Sequence, residues 1–250
     1  MYSVIVPVKN EEQNILPQLE EITAVMRSVN APFEVVYIDD GSTDSSWKIL
    51  CQAQETYPEL RLLRLDRNHG QSAATDAGIR YAHGDVLITL DGDMQNDPAD
   101  IPAMLAKIGE ADMVCGYRAR RNDSAWRKVQ SRIANGIRNK LTGDTIIDTG
   151  CSLKIFRREC FEKVKFFNGM HRFMPTLARL EGFTIAQVPV NHRPRQRGKT
   201  KYNFGNRALV SLKDLLAVRW MQRRHLKHRV IEDLPAQKRL RSIEQELLTK

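Results

Sequence analysis

Two aspartates separated by one glycine close an apolar run in "GDVLITLDGDMQNDP", residues 84–98. Val86, Leu87, Ile88 and Leu90 have the character of an interior strand, and Asp91 and Asp93 follow at its end. Two carboxylates this close repel each other unless a cation lies between them. A hard divalent ion suits the pair. Mg²⁺ in particular keeps one or two protein carboxylates and completes its shell on substrate phosphates. The chemistry this spacing suggests is a metal-bound diphosphate. An acidic turn whose side chains only cap backbone amides is the alternative, and Asp-x-Asp alone does not separate the two.

The elements that must position the pair alternate along the first 120 residues. "YSVIVPV", "FEVVYIDD", "LRLLRLD", "GDVLITLDGD" and "ADMVCGYR" read as five strands. Between them, Ile15, Leu16, Leu19, Ile22 and Met26 fall on one helical face, and "GQSAATDAGIRYA" reads as a small-residue helix. Strands alternating with helices imply an α/β fold with a mostly parallel sheet covered on both faces. Ligands of such sheets bind at the carboxyl ends of the strands. The polar clusters fall there: Asn10-Glu11, Asp39-Asp40, Asn68 and Asp91-Gly92-Asp93. After residue 120 the pattern weakens. Residues 124–141 read as a basic helix, "TGCSLKIFRREC" as strand-like, residues 191–207 as a polar loop, and residues 208–228 as an amphipathic helix with Leu209, Leu212, Leu215, Leu216 and Trp220 on one side.

A chain of 250 residues, 42% hydrophobic and 28% charged, suits one sizeable domain with an appendage. Its net charge of +9 is unevenly spread: residues 193–229 hold twelve Lys/Arg against a single acid, Asp214. So lopsided a segment is expected to meet an anion, and phosphate or an acidic membrane surface fits better than nucleic acid, because basic residues are not interleaved with aromatics. No apolar run is long enough to span a bilayer. The opening reads as a strand rather than a signal peptide, and Cys51, Cys115, Cys151 and Cys160 show neither a Cys-x-x-Cys pair nor metal-site spacing. The expectation is a cytoplasmic protein with reduced thiols.

The segments "VIVPVKNEEQNI", "YIDDGSTDSS", "NHGQSAATDAGIRYAHGD" and "LDGDMQNDP", in this order, resemble the successive motifs of family 2 glycosyltransferases of the GT-A fold. Asp91-Gly92-Asp93-Met94-Gln95 and the loop "RQRGKTKY" are similar to the narrower group of polyprenyl-phosphate sugar synthases, the dolichol-phosphate mannosyltransferase type, with Thr200 where that loop usually has serine. The resemblance runs from residue 3 to about 207. It implies a catalytic domain over 1–207 and, beyond it, a basic amphipathic helix and charged tail over 208–250. It further implies a donor-nucleotide site at Pro7, Asn10, Glu11, Asp39, Asp40, Asn68 and Gly70. Within that set Asp39 would contact the base or ribose and Asp40 would hold the loop. Asp91, Asp93 and Gln95 would hold Mg²⁺ or Mn²⁺ on the donor diphosphate, and Asp148 in "IIDTGCSLKIFRR" matches a position near the acceptor, where it would orient the acceptor or act in catalysis.

A phosphate acceptor is already ionised near neutral pH and needs positioning rather than a general base. Arginine supplies a donor fork that matches phosphate oxygens. Arg118, Arg132, Arg195, Arg197 and Lys201 are the expected acceptor-phosphate residues. His69, His171 and His192 show no metal-ligand spacing and are expected on surface loops. The implied reaction is inverting transfer of a sugar from GDP-mannose or a UDP-sugar to a polyprenyl phosphate. A saccharide hydroxyl as acceptor is the alternative. Many members of the group carry transmembrane helices after the catalytic domain. Here helix 208–228 is too polar to span and has the apolar face and Arg/Lys flank of a surface-lying helix, with a membrane-protein partner as a further means of anchoring.

Overall fold

A computed structural model describes residues 1–119, 136, 138–162, 164–195 and 205–226, the last segment's residues 205–209 as helix backbone only. Strands β1 (Tyr2–Val8), β2 (Phe33–Asp39), β3 (Leu60–Arg64), β4 (Val86–Thr89), β5 (Met113–Arg118), β6 (Lys154–Arg157) and β7 (Ile185–Val190) form one sheet in the order β3-β2-β1-β4-β6-β5-β7. All neighbours pair in parallel except β6, which runs antiparallel to both β4 and β5.

The period-two alternation of the strands builds two cores. Val4, Val6 and Val8 of β1 and Val35 and Tyr37 of β2 face helices α1 (Ile15–Ser28), α2 (Ser46–Gln54) and α4 (Ile101–Leu105). Ile5, Val36, Ile38 and Leu87 face the opposite layer, made by α3 (Gln71–Tyr81), α5 (Glu159–Glu162), α6 (Met174–Leu180) and α7 (Gly205–Arg224). Helix α1 buries Ile15, Leu19, Ile22 and Met26, the stripe its spacing predicts, while Leu16 stays exposed.

Helix α3 approaches the sheet closely because Gly78 lacks a side chain. A Cβ there would overlap Ile5 Cγ2 and lie 2.9 Å from Ile38 Cδ1. Gly78→Ala is therefore expected to overpack this layer at a cost of about 1–3 kcal/mol, seen as a lower urea midpoint with an unchanged slope.

Three features depart from the sequence reading. Strand β7 and helix α6 form where no clear pattern was read. Helix α7 begins at Gly205 and ends at Arg224, so it crosses the expected boundary at 207. Its apolar residues also divide between two faces: Leu215 and Val218 pack into the core, whereas Leu212, Leu216 and Trp220 lie outward, spaced i, i+4, i+8. Most of the expected basic helix 124–141 lies outside the described residues. Its last turn ends at Gly143, whose positive φ of 64° closes a helix without a Cβ penalty.

Candidate active site

Chain reversal between the β1-side and β4-side halves of the sheet creates a switch point at the β1–β4 pair, where open α/β sheets bind ligands. Two cavities of about 490 and 500 Å³ open there, and both are lined by Pro7, Gln71, Asp91, Asp93 and Arg195. The smaller continues over the β5–β6 side of the sheet and the larger over the loops after β1, β2 and β3.

The cavity on the β1–β3 side is lined by Asn10, Glu11, Asp40, Asn68 and Gly70. Its loops lock onto each other. Asn10 adopts a left-handed φ of 47°, accepts the Thr43 N–H at 2.7 Å and donates its own N–H to Ser42 Oγ at 2.9 Å. Asp40 accepts the His69 and Gly70 N–H groups at 2.6 and 2.9 Å, which ties the loop before α3 to the end of β2. Asp39 lines neither cavity. It is fully buried, accepts the Ser42 N–H at 3.1 Å and faces Arg64 at 3.5 Å. Asp39 thus supports the loop after β2, while Asp40 lines the cavity.

The acidic pair sits where the cavities meet. Tyr37 OH, Gln18 and the Asp91 carbonyl form a chain at 3.4 and 2.6 Å that fixes the end of β4 from beneath. Gln71, at the start of α3, donates to Asp91 Oδ1 at 2.7 Å. Gly92 lets the turn pass against β1, since a Cβ there would lie 2.5 Å from Val8 Cγ1. Met94 follows at φ 60°, a left-handed conformation uncommon for a side-chain-bearing residue, and Asp93 accepts the Gln95 N–H at 3.2 Å. Asp97 stands apart: it caps the next turn and pairs with Arg193 at 2.8 Å.

Desolvation, and then the neighbouring Asp93, push the Asp91 carboxyl up to about 6. Asp93 is raised too, chiefly by desolvation, against the Gln95 amide and Arg195. Both shifts describe carboxylates whose charged forms are under-compensated by the chain itself, which is the chemistry of a cation seat. Among the described residues no cluster of three or more His, Cys, Asp or Glu forms a self-sufficient metal cage. Asp91 and Asp93 with the Gln95 side chain therefore fit an oxygen-liking divalent ion that takes its remaining ligands from a diphosphate.

The sign of the resulting pH effect follows from linkage. Because Asp91 is raised from 3.8 in the fold, its contribution to the stability of the metal-free protein is full below about 3.8 and is lost as pH rises through about 6. A divalent ion favours the ionised form and competes with that proton. Mn²⁺ is expected to raise Tm little at pH 5 and clearly at pH 7 in scanning fluorimetry. A metal effect of equal size at both would place the ion elsewhere.

The cavity on the β5–β6 side carries the cations. Arg118, Lys154, Arg172 and Arg195 line it, together with His171 and His192, and among the described residues its acids are Asp91 and Asp93. Arg118, at the end of β5, is gripped by Asp148, which accepts its Nε at 2.6 Å, its Nη2 at 2.9 Å and its backbone N–H at 3.3 Å. Asp148 lines neither cavity. Its carboxylate is engaged by the Arg118 guanidinium. Lys154 reaches this edge because β6 is reversed, so its first residue lies beside Thr89 at the end of β4 and Cys115 within β5. It is buried and donates Nζ to the Cys151 carbonyl. Arg195 arrives on a segment zipped to the residues after Asp93: Arg193 N–H donates to the Gln95 carbonyl at 2.9 Å, and Asn96 bridges His192. Its guanidinium donates to Glu11 at 2.6 Å and lies 3.9 Å from Asp93, so it touches the donor-side acids as well as the cation-lined cavity. Arg132, Arg197 and Lys201 lie outside the described residues.

His171 and His192, expected on surface loops, belong to the cavity wall. Gln18, Gln71, Lys154 and Arg172 were not singled out from the sequence. Lys154 had a signal: it is in phase with Phe156 on an interior strand, where an unpartnered lysine is costly.

Residues 3–165 match the family model for glycosyl transferase family 2, about two thirds of the chain. This chain is a family 2 glycosyltransferase. The enzyme is 39% identical over 230 residues to the dodecaprenyl-phosphate galacturonate synthase of Rhizobium johnstonii, covering 88% of this chain and 67% of that protein. It is 37% identical over 204 residues to the undecaprenyl-phosphate 4-deoxy-4-formamido-L-arabinose transferase of Salmonella paratyphi A, covering 81% and 62%. The glycosyltransferase thus spans about two thirds of the length of these relatives. In fold it resembles glucosyl-3-phosphoglycerate synthase of Mycobacterium tuberculosis, solved with Mn²⁺, UDP and phosphoglyceric acid, at a TM-score of 0.66 and 18% identity over 91% of this chain and 80% of that one. It likewise resembles a mannosyltransferase of Pyrobaculum calidifontis, solved with GDP-mannose and Mn²⁺, at 0.62 and 19% over 92% and 65%. The expected GT-A architecture is borne out.

Proposed function

We propose that this glycosyltransferase moves a sugar from a nucleoside diphosphate sugar to a polyprenyl phosphate. The observation that carries the proposal is the pair of cavities joined at Asp91 and Asp93, one walled by polar loops and the other by four cations. The polar side suits a nucleoside diphosphate sugar, with Pro7, Asn10, Glu11, Asp40, Asn68 and Gly70 around the nucleotide. The cationic side suits an anion, and Arg118, held by Asp148, offers it a preorganised guanidinium. The relatives named above, whose names specify polyprenyl-phosphate products or acceptors, support the same acceptor class.

The step balances without a protein base. An oxygen of the acceptor phosphate attacks the anomeric carbon from the face opposite the diphosphate. The C1–O bond to the diphosphate breaks, and its electron pair leaves with the nucleoside diphosphate. In-line displacement inverts an α-linked donor to a β-linked lipid-phosphate sugar. The divalent ion would supply charge stabilisation to the departing diphosphate. Asp91 and Asp93 would hold it, with Gln71 and Gln18 fixing Asp91. Arg118, Lys154 and Arg195 would hold the acceptor phosphate against the sugar.

Among the described residues no helix is long and apolar enough to cross a membrane. The outward Leu212, Leu216 and Trp220 of α7, with Arg219, Arg223 and Arg224, would make a face for a lipid surface. Each basic residue near an anionic surface adds about 1 kcal/mol.

The test is a transfer assay with undecaprenyl and dolichyl phosphate, a panel of radiolabelled UDP- and GDP-sugars, and Mg²⁺, Mn²⁺ or EDTA. Label entering the organic phase only with metal is the expected result and identifies the sugar. Transfer to a saccharide hydroxyl instead, with His171 or His192 available as base, would replace this reading.

A further inference from the structure

Helix α7 passes the cation-lined cavity at Ser211, which accepts from Arg172 at 3.0 Å. Two turns on, roughly 12 Å along its axis, the helix borders a further cavity of about 240 Å³. Among the described residues this cavity shares no lining residue with the two at the site. Its walls are the turn Thr142–Asp144, Thr176 and Arg179 of α6, and Arg219 and Gln222 of α7. Asp144 is buried and accepts from Thr176 Oγ1 at 2.6 Å, Arg179 Nη1 at 2.5 Å and the Thr145 N–H at 2.8 Å. Arg179 offsets that charge, and Arg219 gives the described walls two arginines against one aspartate. Gln222 donates Nε2 to the Thr142 carbonyl at 2.8 Å, while its Oε1 is shielded from solvent and takes no hydrogen bond among the described residues. An acceptor kept from water without a donor is costly. Arg219 is half-buried and stands at the border of the outward face. Gln222, at i+3, lines the cavity, whereas Leu216 at i−3 and Arg223 at i+4 are exposed.

We propose that this cavity seats the headgroup of one anionic phospholipid with a glycerol-type head, a lipid that is not the acceptor. The phosphate lies on Arg219, a headgroup hydroxyl donates to Gln222 Oε1, and the acyl chains run beside Leu216 and Trp220. The inference rests on the reading of α7 as a lipid-facing helix and adds a specific site to it. The chemistry selects the head. A choline head has no hydrogen-bond donor for Gln222, and phosphatidic acid carries the charge without the headgroup hydroxyl. A glycerol head supplies both. Basic residues spread along a helix attract any anionic surface and leave the helix free to roll on it. One seated head fixes the roll of α7, with Leu212, Leu216 and Trp220 turned toward the acyl chains.

The experiment measures co-flotation of the full chain with phosphatidylcholine vesicles that contain phosphatidylglycerol or, at matched surface charge, phosphatidic acid. Wild type is expected to bind the phosphatidylglycerol vesicles about fivefold tighter, the worth of one added hydrogen bond. Arg219→Gln and Arg224→Gln change the net charge equally, but helical periodicity puts Arg224 on the flank of the apolar stripe away from the cavity. Arg224→Gln should weaken binding to both vesicles alike and keep the preference. Arg219→Gln should abolish the preference, with a thermal melt confirming that both variants fold. No preference in wild type, or a preference that survives Arg219→Gln, would overturn the proposal and leave general attraction to an anionic surface. Release of the protein from phosphatidylglycerol vesicles by free glycerol phosphate at equal headgroup concentration would also overturn it, in favour of a soluble ligand. Wild type that shows the preference yet transfers sugar to no lipid phosphate would leave this site standing and fail the function proposed above.

Discussion

Asp93→Asn is expected to lower turnover by about 10³-fold while the protein folds and melts close to wild type. The substitution keeps size and one carbonyl oxygen and removes only the charge. In the fold, Asp93 accepts the Gln95 amide at 3.2 Å and lies 3.9 Å from Arg195, both at the cavity rather than in either core. Its carboxyl is raised by desolvation, so losing the charge relieves the metal-free protein rather than harming it. What is lost is the second anionic ligand of a divalent ion and, with it, the charge set against the leaving diphosphate. Steady-state transfer with saturating Mn²⁺, alongside a thermal melt, separates the two effects. Near-full activity in the variant would remove the ion from this position.

Asp148→Ala acts through a different physics. Arg118 and Asp148 are largely buried, with 15% and 9% of their side chains exposed, and they form a two-pronged ion pair. Removing one member strands the other charge away from water, which costs about 3–5 kcal/mol. Arg138, itself buried and lowered by desolvation, also draws on Asp148, so the loss is not confined to one pair. The variant is expected to unfold at a much lower urea concentration and to show a raised acceptor KM in whatever fraction folds. Arg118→Leu combined with Asp148→Leu removes both charges and should regain much of the stability while remaining unable to transfer sugar. A single variant of wild-type stability would mean that Arg118 is satisfied by other partners.

Strands β1 to β5 were legible because each is a short β-rich run bounded by polar turns, and those turns bring the expected ligand groups to one edge. Strand β7 was not. It is the outermost strand, half-buried for most of its length, and contains Pro189, so it lacks the alternation of an interior strand. Helix α6 is only seven residues long, too short for a period to emerge. At the site, Asp91 and Asp93 were legible as a pair because their chemistry is local. Lys154, His171 and Arg172 were not, because three separate long-range packings bring them to the cavity: the reversed β6, the Ser72 hydroxyl and helix α7. The side chains of Asp39 and Asp148 brace a loop and an arginine, a disposition that depends on which way each strand end turns.

The reversal of β6 also divides the site into two differently built sides. On the β1–β3 side, each strand reaches its helix through a short connection (residues 9–14, 40–45 and 65–70), and these loops are bonded to one another. No one of them can change length without dislodging the rest. On the β5–β6 side, the residues just before β6 bring Thr149, Gly150, Cys151 and Ser152 to the cavity. The loops on the β1–β3 side are thus coupled to one another, whereas the placement of Thr149 to Ser152 depends on the main-chain pairing of β6 with β4 and β5.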